Sequence, residues 1–300
     1  MLQDLLGFLL AGCAAGGNAL ANVMQRKASQ QESEHQNFSL ALMADLVRNS
    51  TWVLGFLGMV ASFVLQAVAL GMGELSAIEP VMTLEVPLTL LIASRVFRSR
   101  IGREEWTGIL LMTAGMIVLV ASLDPQPGDA RAVSDLVYIE AGGATAFTIL
   151  LLAVLGTRGR PVVRTAFHGA AAGTSFGLTA TLLKEVVSQV NDGLGAVLTS
   201  WQTYAGAGFG VLGVLLMQSA LHMGPLIAAQ PGFTLMDPVV SILWGVLVYN
   251  EDTRTGGWLV VATLGAVAVG LGVRALARSP LLSGAEPAAA PSTAGALTSG

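Results

Sequence analysis

Apolar residues in this chain come in blocks of about twenty, divided by short polar joints. They do not alternate as in a half-buried strand. An α-helix needs about 20 apolar residues to cross the ~30 Å of a bilayer's hydrocarbon. Nine blocks meet that length: Leu2–Met24, Trp52–Leu70, Leu75–Phe97, Trp106–Leu123, Leu136–Leu155, Val163–Val187, Thr203–His222, Leu226–Val248 and Gly257–Ala275. Gly71–Glu74 and Met223–Pro225 leave room only for tight turns, so the second and third blocks, and the seventh and eighth, pair as antiparallel hairpins. The polar segment Gln25–Ser50 carries a possible amphipathic surface helix at Phe38–Val47. Gly193–Trp201 is a shorter apolar stretch at the matching place in the second half, and either could be a short additional span. Beyond Ser279 the chain is rich in Ala, Pro, Ser and Gly, which predicts a disordered tail.

Composition agrees with this pattern. Of 300 residues 53% are hydrophobic and 11% charged, against about 25% charged in soluble domains; mean hydropathy is +0.69. The fold class expected is an all-α integral membrane protein, with the lipid bilayer as its standing partner. A net charge of -4 offers nothing to nucleic acid. Cys13 is the sole cysteine, so no intrachain disulfide can form. Leu10-Ala11-Gly12-Cys13 resembles a lipoprotein cleavage site, but Asp4 stands where a signal peptide wants basic residues, and the apolar run continues to Val23.

Charge sets orientation instead. With the N-terminus outside, Arg26, Lys27, Arg48, Arg95, Arg98, Arg100, Arg103, Arg158, Arg160, Arg164, Arg274 and Arg278 fall on the inner side, and Arg131, Lys184 and Arg254 on the outer. That is the positive-inside bias of a plasma membrane, expected here to be bacterial, with a cytoplasmic C-terminus. Trp52 and Trp106 then sit at the inner interface, and Trp201 and Trp258 at the outer one.

The third and eighth blocks share a frame. EPVMTLEVP (Glu79–Pro87) and QPGFTLMDP (Gln230–Pro238) match at Pro80, Thr83, Leu84 and Pro87 against Pro231, Thr234, Leu235 and Pro238, at one constant offset. GCAAG at Gly12–Gly16 returns as GAAAG at Gly169–Gly173, and Lys27 as Lys184. Helices 1–4 (residues 1–123) therefore match helices 6–9 (163–278), with helix 5 (124–162) as joiner. An odd number of crossings between the units places the second upside down. Inverted repeats of this kind surround a midplane site in secondary transporters.

LQAVALGMGELSAIEPVMTLEVPLTLLIAS (65–94), EEWTGILLMTAGMIVLV (104–120) and MQSALHMGPLIAAQPGFTLMDPVVSILWGVLVYNE (217–251) resemble the drug/metabolite transporter superfamily with its EamA-like fold. The nine-helix layout is most similar to the NIPA-type magnesium transporter branch. The resemblance covers about residues 5–275 and implies a secondary transporter.

The residues themselves narrow the chemistry. A charge at the bilayer centre costs ~2.5–3.5 kcal/mol on insertion scales, so it faces a cavity or a partner. At 1.5 Å rise per residue, Glu85 and Asp237 lie about 15–17 Å into their helices, and Glu79 only about 6 Å. Gln230, Thr234, Asp237 and Ser241 make one stripe, Ser76, Glu79 and Thr83 another, and Glu85 falls off the latter. Asn18 and Asn22 share a face of helix 1, with Ser175 and Thr179 as counterparts, and Gln66 and Gln218 sit in helices 2 and 7. Cavity lining and interhelical glue are both open to these amides. Pro80, Pro87, Pro231 and Pro238 each remove a backbone hydrogen bond and mark helix breaks or kinks whose carbonyls could meet a cation. The glycine pairs Gly12/Gly16, Gly55/Gly58 and Gly169/Gly173 are expected to serve helix packing, and His168, with no second His, Cys or carboxylate at ligand spacing, to be a core or interface residue.

No Lys or Arg is expected inside a helix, so an anionic cargo lacks a countercharge. Aromatics are scattered, so no cage for organic cations is evident. No nucleotide-binding loop, Ser/His/Asp set or HExxH motif occurs, so the chain is not expected to be an enzyme, and no cofactor is expected. The expected function is secondary transport of a cation, Mg²⁺ first, by alternating access, with Glu85 and Asp237 as its ligands and amides and threonines holding its waters. Two alternatives stand: proton-coupled export of a small neutral or cationic solute with Glu85 as coupling residue, and a non-transporting membrane scaffold. A second copy of the chain is allowed as a partner.

Overall fold

The computed structural model describes residues 2–29, 49–126, 128, 133–223 and 226–278. The surface helix expected at Phe38–Val47 and the tail after Ser279 lie outside them. The described residues contain no strand. They form α1 (Leu2–Ser29), α2 (Ser50–Met72), α3 (Leu75–Met82), α4 (Glu85–Val96), α5 (Arg103–Leu123), α6 (Asp135–Leu155), α7 (Pro161–Ser188), α8 (Leu194–Thr199), α9 (Trp201–Met223), α10 (Leu226–Leu247) and α11 (Gly257–Leu276), with one 3₁₀ turn at Val190–Asp192.

Among the described residues, seven segments are long and apolar enough to cross a membrane: Leu5–Gln25, Ser50–Met72, Leu75–Val96, Arg103–Leu123, Asp135–Leu155, Trp201–Ala220 and Gly257–Leu276. The chain is thus a helical, multi-pass membrane protein. Helices α7 and α10 coincide with the sixth and eighth predicted blocks and pack along each other and against the rest of the bundle. The apolar stretch near Gly193 is no span; it holds only the six-residue α8, with Leu194 and Leu198 exposed.

Helix ends follow local chemistry. The Asn49 side chain accepts from the amides of Thr51 and Trp52 and starts α2; Pro161 opens α7, where its missing N–H has no helical duty. The third block is not one helix. Pro80 and Pro87 each lack an amide donor, and between them the chain tightens into three-residue turns at Thr83 and Leu84. The eighth block carries the same two prolines, yet α10 runs unbroken through Pro231 and Pro238. The expected break therefore holds for the first pair only.

Packing is by close backbone approach. A methyl added to Gly115 would fall 2.7 Å from the carbonyl of Gly265, and one on Gly272 2.6 Å from Met112, which presses α5 against α11. A methyl on Gly173 would meet the Phe233 carbonyl at 2.5 Å, joining α7 to α10. Small residues bring helices together this way in lipid, where the hydrophobic effect does not. The first-half pair behaves differently: Gly12 and Gly16 have nothing within 4 Å, so the packing role expected for them is not realised, and Gly17 and Gly55 make the α1–α2 approach instead. Large apolar side chains point outward on α2, α5, α6, α9 and α11, among them Phe63, Leu110, Phe147, Leu215 and Leu264. In contrast, α3 is buried at seven of its eight positions. It is held between α1 and α10, and that placement positions the site.

Candidate functional site

Three carboxylates from three helices converge around α3. Glu79 sits on α3 and is 1% exposed. One of its oxygens accepts from Gln66 Nε2 of α2 at 2.9 Å. Glu85 opens α4, beyond the Thr83–Leu84 turn. That turn rotates it away from the Ser76–Glu79–Thr83 face and toward α1, where Asn22 Nδ2 donates to it at 2.6 Å and the Asn18 side chain also bonds it. Asp237 belongs to α10, and both Glu79 and Glu85 act on it electrostatically. Among the described residues no ion pair joins any of the three to Lys or Arg.

The remaining predicted site residues divide. Gln66, Asn18 and Asn22 are in place as carboxylate partners. Thr83 is buried, but its hydroxyl donates to the Pro80 carbonyl at 2.7 Å, so neither the hydroxyl nor that carbonyl is idle. Gln230 Nε2 donates to Thr234 Oγ1 at 3.2 Å within α10. Gln218 is exposed on α9, away from the carboxylates, because its helix turns that face out of the bundle; it does not line the site as expected. Ser175 donates to the Phe209 carbonyl and Thr179 to that of Ser175, so the α7 counterparts of the α1 asparagines are structural. His168 is buried with Nδ1 3.0 Å from the Arg164 carbonyl and packs on Gly156, a core residue as expected.

Among the described residues, no group of three or more His, Cys, Asp or Glu is placed to hold a metal ion. Any ion here would rest on one or two carboxylates with hydroxyls, amides or water. That is the way Mg²⁺ is commonly bound, since it keeps several waters.

A second polar cluster lies at the far end of α3 and was not foreseen. Glu251 is 2% exposed. Its carboxylate accepts from the amides of Leu75 at 2.8 Å and Ser76 at 3.0 Å and from the Ser76 hydroxyl. It caps the start of α3 from 176 residues away, while the adjacent Glu74 makes no side-chain cap. Amides at a helix N-terminus have no partner within the helix and favour an anion. Lys184 Nζ completes the cluster, donating to the Gly73 carbonyl at 2.9 Å and lying 3.3 Å from Glu251 and 3.5 Å from Glu74. Burial holds the Glu74 carboxyl above the usual carboxylate range; Lys184 opposes that shift and Glu251 adds to it. Lys184, assigned to the outer side by the charge pattern, is a buried bridge between α7, the α2–α3 turn and the segment after α10. Beside it, Tyr249 donates to the Thr181 carbonyl at 2.8 Å and Tyr138 to Glu185 at 2.9 Å.

Two grooves flank the Gly73–Glu74 turn. One, of about 690 Å³, is lined by Phe63, Val64, Gly71, Glu74, Lys184 and Asn191. The other, of about 800 Å³, is lined by Phe8, Ala77, Ile78, Met116, Val120 and Gln126. Neither includes Glu79, Glu85 or Asp237 in its lining.

No family model matches the chain, and no solved structure does. A protein of Corynebacterium glutamicum described as uncharacterized is 24% identical over 267 residues, which covers 87% of this chain and 91% of that protein.

Proposed function

We propose that the protein is a secondary membrane transporter of a hard cation, Mg²⁺ first, moved by alternating access around Glu79, Glu85 and Asp237. One observation carries this reading: carboxylates from both halves of the chain lie inside a bundle with an apolar exterior, and among the described residues none of the three pairs with a lysine or arginine. Several buried anions without a countercharge need a positive companion, and each would otherwise bear a penalty of several kcal/mol. The cluster supplies oxygen donors only, which suits Mg²⁺ rather than a softer metal.

Helix lengths support two related units. The first half runs 28, 23, 8 plus 12, and 21 residues; the second runs 28, 23, 22 and 20. On this reading nine segments cross the membrane, the Arg95–Arg103 end faces the cytoplasm and the Lys184 end faces out. The chain is a bacterial plasma-membrane carrier of the drug/metabolite transporter kind, nearest its magnesium branch. The test is flux: liposomes containing the purified chain and a Mg²⁺-sensitive dye should fill faster than protein-free liposomes, and equal rates would count against cation transport.

A second reading is proton-coupled export of a small neutral or cationic solute. It is favoured by Glu85, which is held by two asparagine side chains and can exchange a proton for cargo. Solute flux that responds to an imposed pH gradient while Mg²⁺ flux stays at background would select it.

A further inference from the structure

Helices α3 and α10 cross antiparallel. A methyl added to Gly245 of α10 would lie 3.2 Å from Ser76 Cβ, near the start of α3, and further down both helices Asp237 comes within electrostatic reach of Glu79 and Glu85. Gly245, Ser241 and Asp237 are spaced i, i−4, i−8, so they share one face of α10; Ser76 and Glu79 are likewise spaced i, i+3 on α3. Along this seam three side-chain oxygens are buried without a hydrogen-bond partner among the described residues: Glu79 Oε2, Ser241 Oγ and Asp237 Oδ1. Glu79 and Ser241 are 1% and 0% exposed. A buried polar atom left unpaired costs ~1–3 kcal/mol, more when charged, and three on one seam call for a common cause. Glu85 is different, because both asparagines of α1 already serve it.

We propose that Glu79, Ser241 and Asp237 form the seat of the transported cation, a partly dehydrated all-oxygen site for a hard divalent ion on the α3–α10 seam. This rests on the cation reading above and changes its ligand set. Glu79 replaces Glu85 as the partner of Asp237, and Ser241 adds a neutral oxygen. Two carboxylates balance a divalent charge, and the hydroxyl completes one side of the shell while water fills the other. Gln66 orients Glu79 by holding its second oxygen, so that Oε2 points to the seam. Glu85 stays tethered to α1 and adds negative potential without contacting the ion.

Mn²⁺ is a suitable probe, since it prefers the same oxygen ligands and its free hydrated form is read directly by electron paramagnetic resonance. In detergent, the full-length chain should take up Mn²⁺, and Mg²⁺ should displace it. Glu79→Gln and Asp237→Asn should each weaken binding at least tenfold, and Ser241→Ala about threefold or more. Glu85→Gln should weaken it less than either acid-site variant. Glu140→Gln, at an exposed carboxylate of α6, should leave it unchanged. Monodispersity on size exclusion checks the fold, and Ser241→Ala, which removes a single oxygen, keeps the test open if an acid variant misfolds. Binding that survives Glu79→Gln, or that falls most in Glu85→Gln, overturns the seat while leaving the cation reading standing. No Mn²⁺ binding by the unaltered chain overturns both.

Discussion

Glycines show how much a single position decides. Gly115 has the Gly265 carbonyl 2.7 Å from where its methyl would be, and Gly12 has open space. Gly115→Ala should cost about 1–3 kcal/mol through overpacking, seen as a lower thermal midpoint in detergent. Gly12→Ala should stay within about 0.5 kcal/mol. The two look alike in a string of letters, because small residues recur on lipid-facing and buried surfaces alike. Polar residues were more legible. Asp237, Glu79, Gln66 and the two asparagines stood out as costs inside apolar blocks, and the structure brings them together. Gln218 stood out for the same reason and faces away, because a single glutamine reports that a group is polar and not which way its helix is rotated. Ser241 was visible only as the last member of the Gln230–Thr234–Asp237 stripe.

At the scale of elements, the tie between Glu251, Lys184 and the start of α3 is the strongest local feature outside the carboxylates. Lys184→Met leaves the buried Glu251 and the half-buried Glu74 without their cation, and breaking a buried pair this way costs about 3–5 kcal/mol. The thermal midpoint should fall clearly, and Lys184→Met combined with Glu251→Gln should recover part of the loss. An unchanged midpoint in the single variant would mean the bridge contributes nothing. Glu74 adds a pH signature. Its value in the fold lies above the ordinary 4.5, so the protonated form is favoured by folding. Its contribution is fully present below pH 4.5 and is lost as pH rises through the folded value. Glu74→Gln should therefore flatten that part of a stability–pH profile. None of this cluster was legible in the sequence. Its members lie on α7, around the α2–α3 turn and after α10, and nothing in periodicity relates residue 251 to residue 75. The proline pairs were legible as special, but identical spacing gave a broken α3–α4 and an intact α10. At the break the Pro80 carbonyl accepts from the Thr83 amide and hydroxyl, and the Thr83 carbonyl, which Pro87 leaves without its helical donor, accepts from the Val86 amide.

For the whole molecule, block lengths located the helices, since hydrophobic thickness leaves few alternatives. The order of packing was not written in block lengths. Burial of α3 between α1 and α10 follows from glycine contacts and caps that only the folded chain assembles. The proposed orientation has its own check. In a Cys13→Ser background, a cysteine at Arg98 should label from the cytoplasmic side and one at Asp252 from the outside, both being exposed at opposite ends; the reverse pattern would invert the topology. The account as a whole stands on ion movement through the α3–α10 seam. Mg²⁺ uptake into liposomes carrying equal amounts of the unaltered chain or of Asp237→Asn tests it most directly. At least a tenfold slower uptake by the variant is predicted, and equal uptake by the two would contradict the account.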